Sequence, residues 1–188
     1  MTIDEIVETA LDLVQTRGYN AFSYRDLSEL VGIKTASIHY YFPTKADLGV
    51  AMMRRYREGF SRSLTEIDES TSDPEESISL YAALFEKTVK TSEKVCLGGM
   101  LASEFLSLPE KVRSEVKAFF VDNETWLTRV LRAGKKSGKF RVKMTPESLA
   151  NTIVSALEGG MLAARTFHDP GRLSSVSGSI RLLLKGTK

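Results

Sequence analysis

A single cysteine, Cys96, among 188 residues leaves no intramolecular disulfide to form. Two histidines beside that one cysteine are too few for a Cys/His zinc site. Five prolines and 13 glycines exclude a collagen-like or linker-like chain. No apolar run approaches the ~20 residues of a membrane span. The start, Thr2-Ile3-Asp4-Glu5, is acidic where a secretory leader is basic. These absences predict a cytoplasmic protein with no membrane attachment. What is present is a globular composition of 42% hydrophobic and 27% charged residues. A chain of this length buries a core without staples. Net charge is only +2, yet from Thr16 to Arg62 eight Lys and Arg stand against four Asp and Glu. Such a local basic excess fits a polyanion partner and also fits a plain solvated face.

The hydrophobic pattern is helical almost throughout, with no alternating strand signal and no internal repeat. Thr2 and Glu5 form a capping box, after which Ile3, Val7, Ala10, Leu11 and Val14 recur at helical spacing to a stop at Gly18. Ser23 opens a second helix that Gly32 breaks. A third runs from about Thr35 to Tyr41, and Pro43 ends it. Thr44 with Asp47 caps a long fourth helix to near Ile67, followed by a polar loop from Asp68 to Asp73. Pro74 starts a helix to about Thr91. Further helices are expected from Cys96 to Leu108, from Pro109 to Lys136, from Pro146 to about Phe167, and through Ile180 to Leu184. The fold class is all-α with about nine helices: a three-helix N-terminal domain, then a helical bundle.

Residues 23–42 are the informative part. Two short helices meet at the tight turn Val31-Gly32-Ile33, the layout of a helix-turn-helix whose second helix enters the DNA major groove. In Lys34-Thr35-Ala36-Ser37-Ile38-His39-Tyr40-Tyr41-Phe42, Ala36 and Ser37 are small enough for the backbone to approach bases. Ile38 and Phe42, four apart, should face the core. The run Ser23-Tyr24-Arg25-Asp26-Leu27-Ser28-Glu29-Leu30-Val31-Gly32-Ile33, continued to Phe42 and then Pro43-Thr44-Lys45-Ala46-Asp47-Leu48, resembles the TetR family of transcriptional repressors. The resemblance covers about residues 1–60 and includes the aromatic close of the recognition helix and the lysine that opens helix four.

The resemblance implies a homodimer on a palindromic double-stranded operator. Residues 1–47 would bind DNA, and residues 48–188 would bind a small-molecule or electrophile effector and dimerise. It implies phosphate contacts from Lys34 and Lys45 and a guanine contact from Arg25. Thr35, Ala36, Ser37, His39 and Tyr40 would lie on or beside the reading face, and Tyr41 would support it or touch backbone. His39 fits a hydrogen-bonded surface histidine equally well. Val95-Cys96-Leu97-Gly98-Gly99-Met100-Leu101-Ala102-Ser103-Glu104 is similar to a segment of the subgroup that includes the N-ethylmaleimide reductase repressor, where a cysteine at this place senses electrophiles or oxidants. That implies a sensor role for Cys96, against the alternative of a buried structural thiol. No lysine lies between Lys143 and Lys185 to crosslink with it.

Phe85, Met100, Phe105, Phe119, Trp126 and Met161 are candidates to line an apolar effector pocket, although at helical spacing they read first as core. The small residues Ala156, Gly159, Gly160, Ala163 and Ala164 near the C-terminus are consistent with close packing at a two-fold interface. No paired acid and base, phosphate loop or activated nucleophile points to an enzyme, and no cofactor is expected. Two alternatives stay open: a regulator induced by a non-covalent apolar molecule, and a helical interaction protein that binds no DNA.

Overall fold

The structure, a computed structural model, describes residues 2–91 and 94–186. Among the described residues there are nine α-helices, one 3₁₀ turn and no strand: α1 Ile3–Arg17, α2 Tyr24–Val31, α3 Thr35–Tyr41, α4 Lys45–Ser70, α5 Pro74–Thr91, α6 Leu97–Ser103, the 3₁₀ turn Phe105–Ser107, α7 Glu110–Lys136, α8 Pro146–Thr166 and α9 Gly171–Lys185. The expected starts hold because each has a chemical cause. Thr2 and Glu5 exchange side-chain and backbone bonds at the head of α1. Ser23 and Asp26 do the same for α2. The Thr145 hydroxyl accepts from the Ser148 amide one turn into α8. Two ends differ from expectation. α4 runs on to Ser70, shortening the polar loop. The expected helix from Cys96 to Leu108 stops at Ser103 and tightens into the 3₁₀ turn.

The chain packs as two compact units, Met1–Gly59 with Cys96–Phe119, and Phe60–Val95 with Phe120–Lys188. The first half of α4 and all of α6 are packed with the N-terminal helices.

In the first unit α1 buries Ile6, Val7, Ala10, Leu11, Leu13 and Val14, α4 buries Leu48, Met52 and Met53, and Val112, Val116 and Phe119 of α7 complete the core. Gly98 is required by contact: a Cβ there would sit 2.5 Å from the Phe119 ring. Ion pairs rim this core. Arg55 reaches Asp4 at 2.6 Å and also Glu8, and Glu115 accepts from both Arg54 and Arg57 at 2.7 Å.

In the second unit Tyr81 stacks on Trp126 with centroids 5.5 Å apart and tilts against Phe85 at 5.3 Å. The polar tips of these rings are satisfied: the Tyr81 hydroxyl lies 2.8 Å from Asn123 Oδ1, and Trp126 Nε1 donates to Asp68 at 3.1 Å. α8 and α9 pack closely at Gly160, where a Cβ would meet Leu173 at 2.9 Å and Val176 at 3.2 Å. Gly160 and the buried Ala164 therefore serve packing within the subunit. Gly159 and Gly178 face open space.

Candidate nucleic-acid interface

The turn between α2 and α3 depends on one glycine. Gly32 adopts φ 75°, a left-handed conformation that side-chain-bearing residues rarely take, and its N–H closes α2 on the Ser28 carbonyl at 2.9 Å. Ile33 N–H bonds the same carbonyl at 3.0 Å, completing the tight reversal. Lys34 is the N-cap of α3, and its side chain is exposed. The Thr35 hydroxyl donates to Ser28 Oγ at 3.1 Å, which ties the start of α3 to α2. The end of α3 is anchored by aromatic contacts. The Tyr24 hydroxyl donates to the Phe42 carbonyl at 2.9 Å, and the Tyr24 ring meets the His39 ring edge-on at 4.7 Å.

Within α3 only Ile38 is buried, and Phe42 beside it is buried as the four-residue spacing predicts. The opposite face is open. Ala36, Ser37 and His39 are exposed, Tyr40 is 81% exposed and Tyr41 46%. The two tyrosine rings contact each other edge-on at 5.2 Å. His39 Nδ1 is 3.4 Å from the Pro43 carbonyl, so the ring makes a local surface contact. Arg25 projects from α2 and pairs with Glu29 at 3.0 Å, with side chains 84% and 64% exposed. Exposed pairs of this kind are worth only ~0.3–0.5 kcal/mol, so the guanidinium exchanges this partner at little cost. The assembly presents a seven-residue helix with small, polar and aromatic side chains outward, dimensions a major groove admits.

Lys45, the expected phosphate contact, is the first residue of α4. Its ammonium turns inward, donates to the Phe22 carbonyl, and lies over the Phe22 and Tyr19 rings at 4.2 and 4.8 Å. Burial lowers its pKa. The lysine ties the head of α4 to the α1–α2 turn, a role invisible to a motif. Beside it, Asp47 caps α4 by accepting from the Thr44 amide at 2.9 Å, and it pairs with Lys111. The Lys111 and Thr44 bonds pull its carboxyl down to about 2. Burial, reinforced by the charges of Asp47 and Glu104, pushes the Tyr19 phenol up to about 12, and burial likewise raises Tyr24. Tyr24 and Glu104 are residues the sequence reasoning missed. Glu104 contacts Tyr19 across 85 positions, and no local pattern signals that.

Cys96 is the N-cap of α6 and only 2% exposed, which removes the solvent access a reactive thiolate needs. The residues proposed to line one pocket divide between the units. Met100, Phe105 and Phe119 belong to the first, and Phe85, Trp126 and Met161 to the second. All but Phe105 are buried; Phe105 is partly exposed beneath Lys117, 5.5 Å from its ring. A cavity of about 290 Å³ in the second unit is lined by residues that include Asp73, Glu75, Ile78, Phe140, Arg181 and Leu184. No helix among the described residues is long and apolar enough to cross a membrane.

Residues 6–52 match the family model described as bacterial regulatory proteins, tetR family, and residues 74–179 match that of the tetracyclin repressor-like C-terminal domain. A TetR transcriptional regulator from Legionella pneumophila is 37% identical, covers 98% of each chain and superimposes with a TM-score of 0.90. The transcriptional regulator AcuR from Cereibacter sphaeroides is 25% identical over 90% of this chain and 79% of its own length. Reduced NemR of E. coli, 20% identical over 96% of each chain with a TM-score of 0.83, shares the fold.

Proposed function

The chain belongs to the TetR family of bacterial regulatory proteins, and from that premise we propose that it is a homodimeric, cytoplasmic, non-enzymatic repressor that reads a palindromic operator through α3. The observation that carries this reading is the solvent-facing side of α3. Tyr40 and Tyr41 stand exposed there with Ala36, Ser37 and His39, above an Ile38 that is fully buried. An aromatic pair left in water by a short helix is explained by a partner that covers it. Lys34 supplies phosphate contact and Arg25 reaches a base edge. Residues 1–47 carry recognition, and residues 48–188 carry the effector and dimer contacts.

The outward faces of α8 and α9 support the two-fold contact. Gly159, Leu162 and Thr166 recur at helical spacing on α8, and Ser175, Gly178 and Leu182 on α9. Leu162 is 41% and Leu182 72% exposed, and the two glycines leave room for a close neighbour. An isologous dimer presents two α3 helices, and a palindromic operator requires them about one DNA turn apart. The burial of Cys96 favours induction by a non-covalent small molecule over thiol modification.

The test is selection of duplex from a random-sequence pool, followed by binding across a salt series. Inverted-repeat half-sites and a steep fall of affinity with salt are expected. Arg25→Ala should relax preference at one base position by about 1–3 kcal/mol. Failure to select any duplex would establish the helical interaction protein instead.

A further inference from the structure

Glu104 ends α6, yet its carboxylate is spent on the turn that follows α1. Oε1 accepts from the Tyr19 amide at 2.8 Å, and Oε2 accepts from the Asn20 amide at 2.9 Å and from Asn20 Nδ2 at 2.5 Å. Asn20 Nδ2 also donates to Ser107 Oγ at 2.8 Å, and Ser107 Oγ donates to the Glu104 carbonyl at 2.8 Å. Two consecutive backbone N–H groups aimed at one carboxylate make a charge-assisted clasp. Gly18 at φ 99° fits beneath it: a Cβ there would lie 2.3 Å from Oε1. The turn continues to Phe22, whose carbonyl and ring hold Lys45 at the head of α4, and then to Ser23, the cap of α2. Tyr19, gripped through its backbone by Glu104, also lies under the Lys45 ammonium. The chain of contacts therefore runs from α6 through the turn to the base of the helix-turn-helix, all inside one packed unit.

We infer that Glu104 is a positioning residue for DNA binding: its carboxylate fixes the α1–α2 turn and thereby the pose of α2 and α3. It touches no DNA itself. This rests on the DNA-binding reading above. The pose matters because base contacts tolerate little displacement, whereas phosphate contacts adjust. A side chain more than 60 positions from α3 thus sets operator affinity.

The test variant is Glu104→Gln, which keeps the shape but loses the charge and turns an NH₂ group toward a backbone donor. The probe is the duplex selected by the wild-type dimer. Operator affinity should weaken about tenfold, ~1.4 kcal/mol, with helicity and dimerisation intact. The salt slope should stay unchanged, because no phosphate contact is removed. Amide exchange should quicken at Tyr19 and Asn20. Asn20→Ala, on the exposed side of the turn, should give a smaller loss, and the double variant should be no worse than Glu104→Gln alone. That non-additivity is what a shared clasp requires and a general loss of stability does not produce. Should Glu104→Gln fail to fold, Asn20→Ala with unchanged affinity and unchanged exchange at Tyr19 overturns the inference. Wild-type affinity in Glu104→Gln, or fully additive losses, overturns it as well. A wild-type chain that selects no duplex overturns the DNA-binding reading first; wild-type binding with an unaffected Glu104→Gln overturns the clasp alone.

Discussion

Replacing Lys45 by methionine separates two roles that the sequence merges. Met keeps the length of the stem and removes the charge at the first position of α4. In the structure the ammonium donates to the Phe22 carbonyl and sits over two rings, at 4.2 and 4.8 Å. A hydrogen bond from a charged donor contributes ~1.5–3 kcal/mol, and a cation over a ring ~0.5–2 kcal/mol. Against these stands the desolvation that lowers the lysine pKa. The side chain is only half-buried, so the low ends apply and the net loss of unfolding free energy should be about 1.5 kcal/mol. Chemical denaturation should show a lower midpoint with an unchanged slope. Operator affinity should fall several-fold because the turn loosens. The slope of affinity against salt should not move. A phosphate-contacting lysine behaves in the opposite way, leaving stability intact and lowering the slope by ~0.9 per contact, about 1.8 for a dimer. That second outcome would refute the inward role.

Other expectations follow from burial. Ile38→Ala should cost ~2–5 kcal/mol of stability, whereas Tyr40→Ala should leave the unfolding midpoint within error and weaken operator binding; denaturation and gel shift on the pair check this. Tyr19 has its folded pKa raised to about 12 from the ordinary ~10, and burial raises Tyr24 too. Their neutral forms are favoured by folding, so that stability is complete below about pH 10 and lost as pH rises toward 12. A near-ultraviolet titration should show both phenols still protonated at pH ~11 in folded protein, and ionisation of all six tyrosines near pH ~10 with the fold intact would contradict it. The Cys96 thiol should react with an aromatic disulfide reagent only on unfolding, and stoichiometric reaction within the folded protein would restore the sensor reading.

Local chemistry explains how much of the fold is legible in the sequence. Helix starts at Thr2, Ser23, Thr44, Pro74 and Thr145 are written within four residues, because a cap and the amide it satisfies are sequence neighbours. The break at Gly32 and the inward pair Ile38 and Phe42 follow from backbone freedom and a 3.6-residue period in the same way. Helix type and order and the helix-turn-helix were therefore determined by the sequence itself. The ends of α4 and α6 were not, since no strong stop residue stands at Ser70 or Ser103 and packing settles them. What only the tertiary structure decided is which charged groups face water. Lys45 reads as a surface cation and is turned inward by Phe22 and Tyr19; Glu104 carries no signal in the sequence and is the clasp on a turn 85 positions away. Cys96 sits at a helix start, where its thiolate would be favoured, yet burial withholds solvent from it. Gly159 and Gly160 are adjacent small residues, one opening to solvent and the other pressed on α9. Period and capping are properties of neighbours along the chain, whereas these distinctions depend on neighbours in space, brought together only when the helices pack.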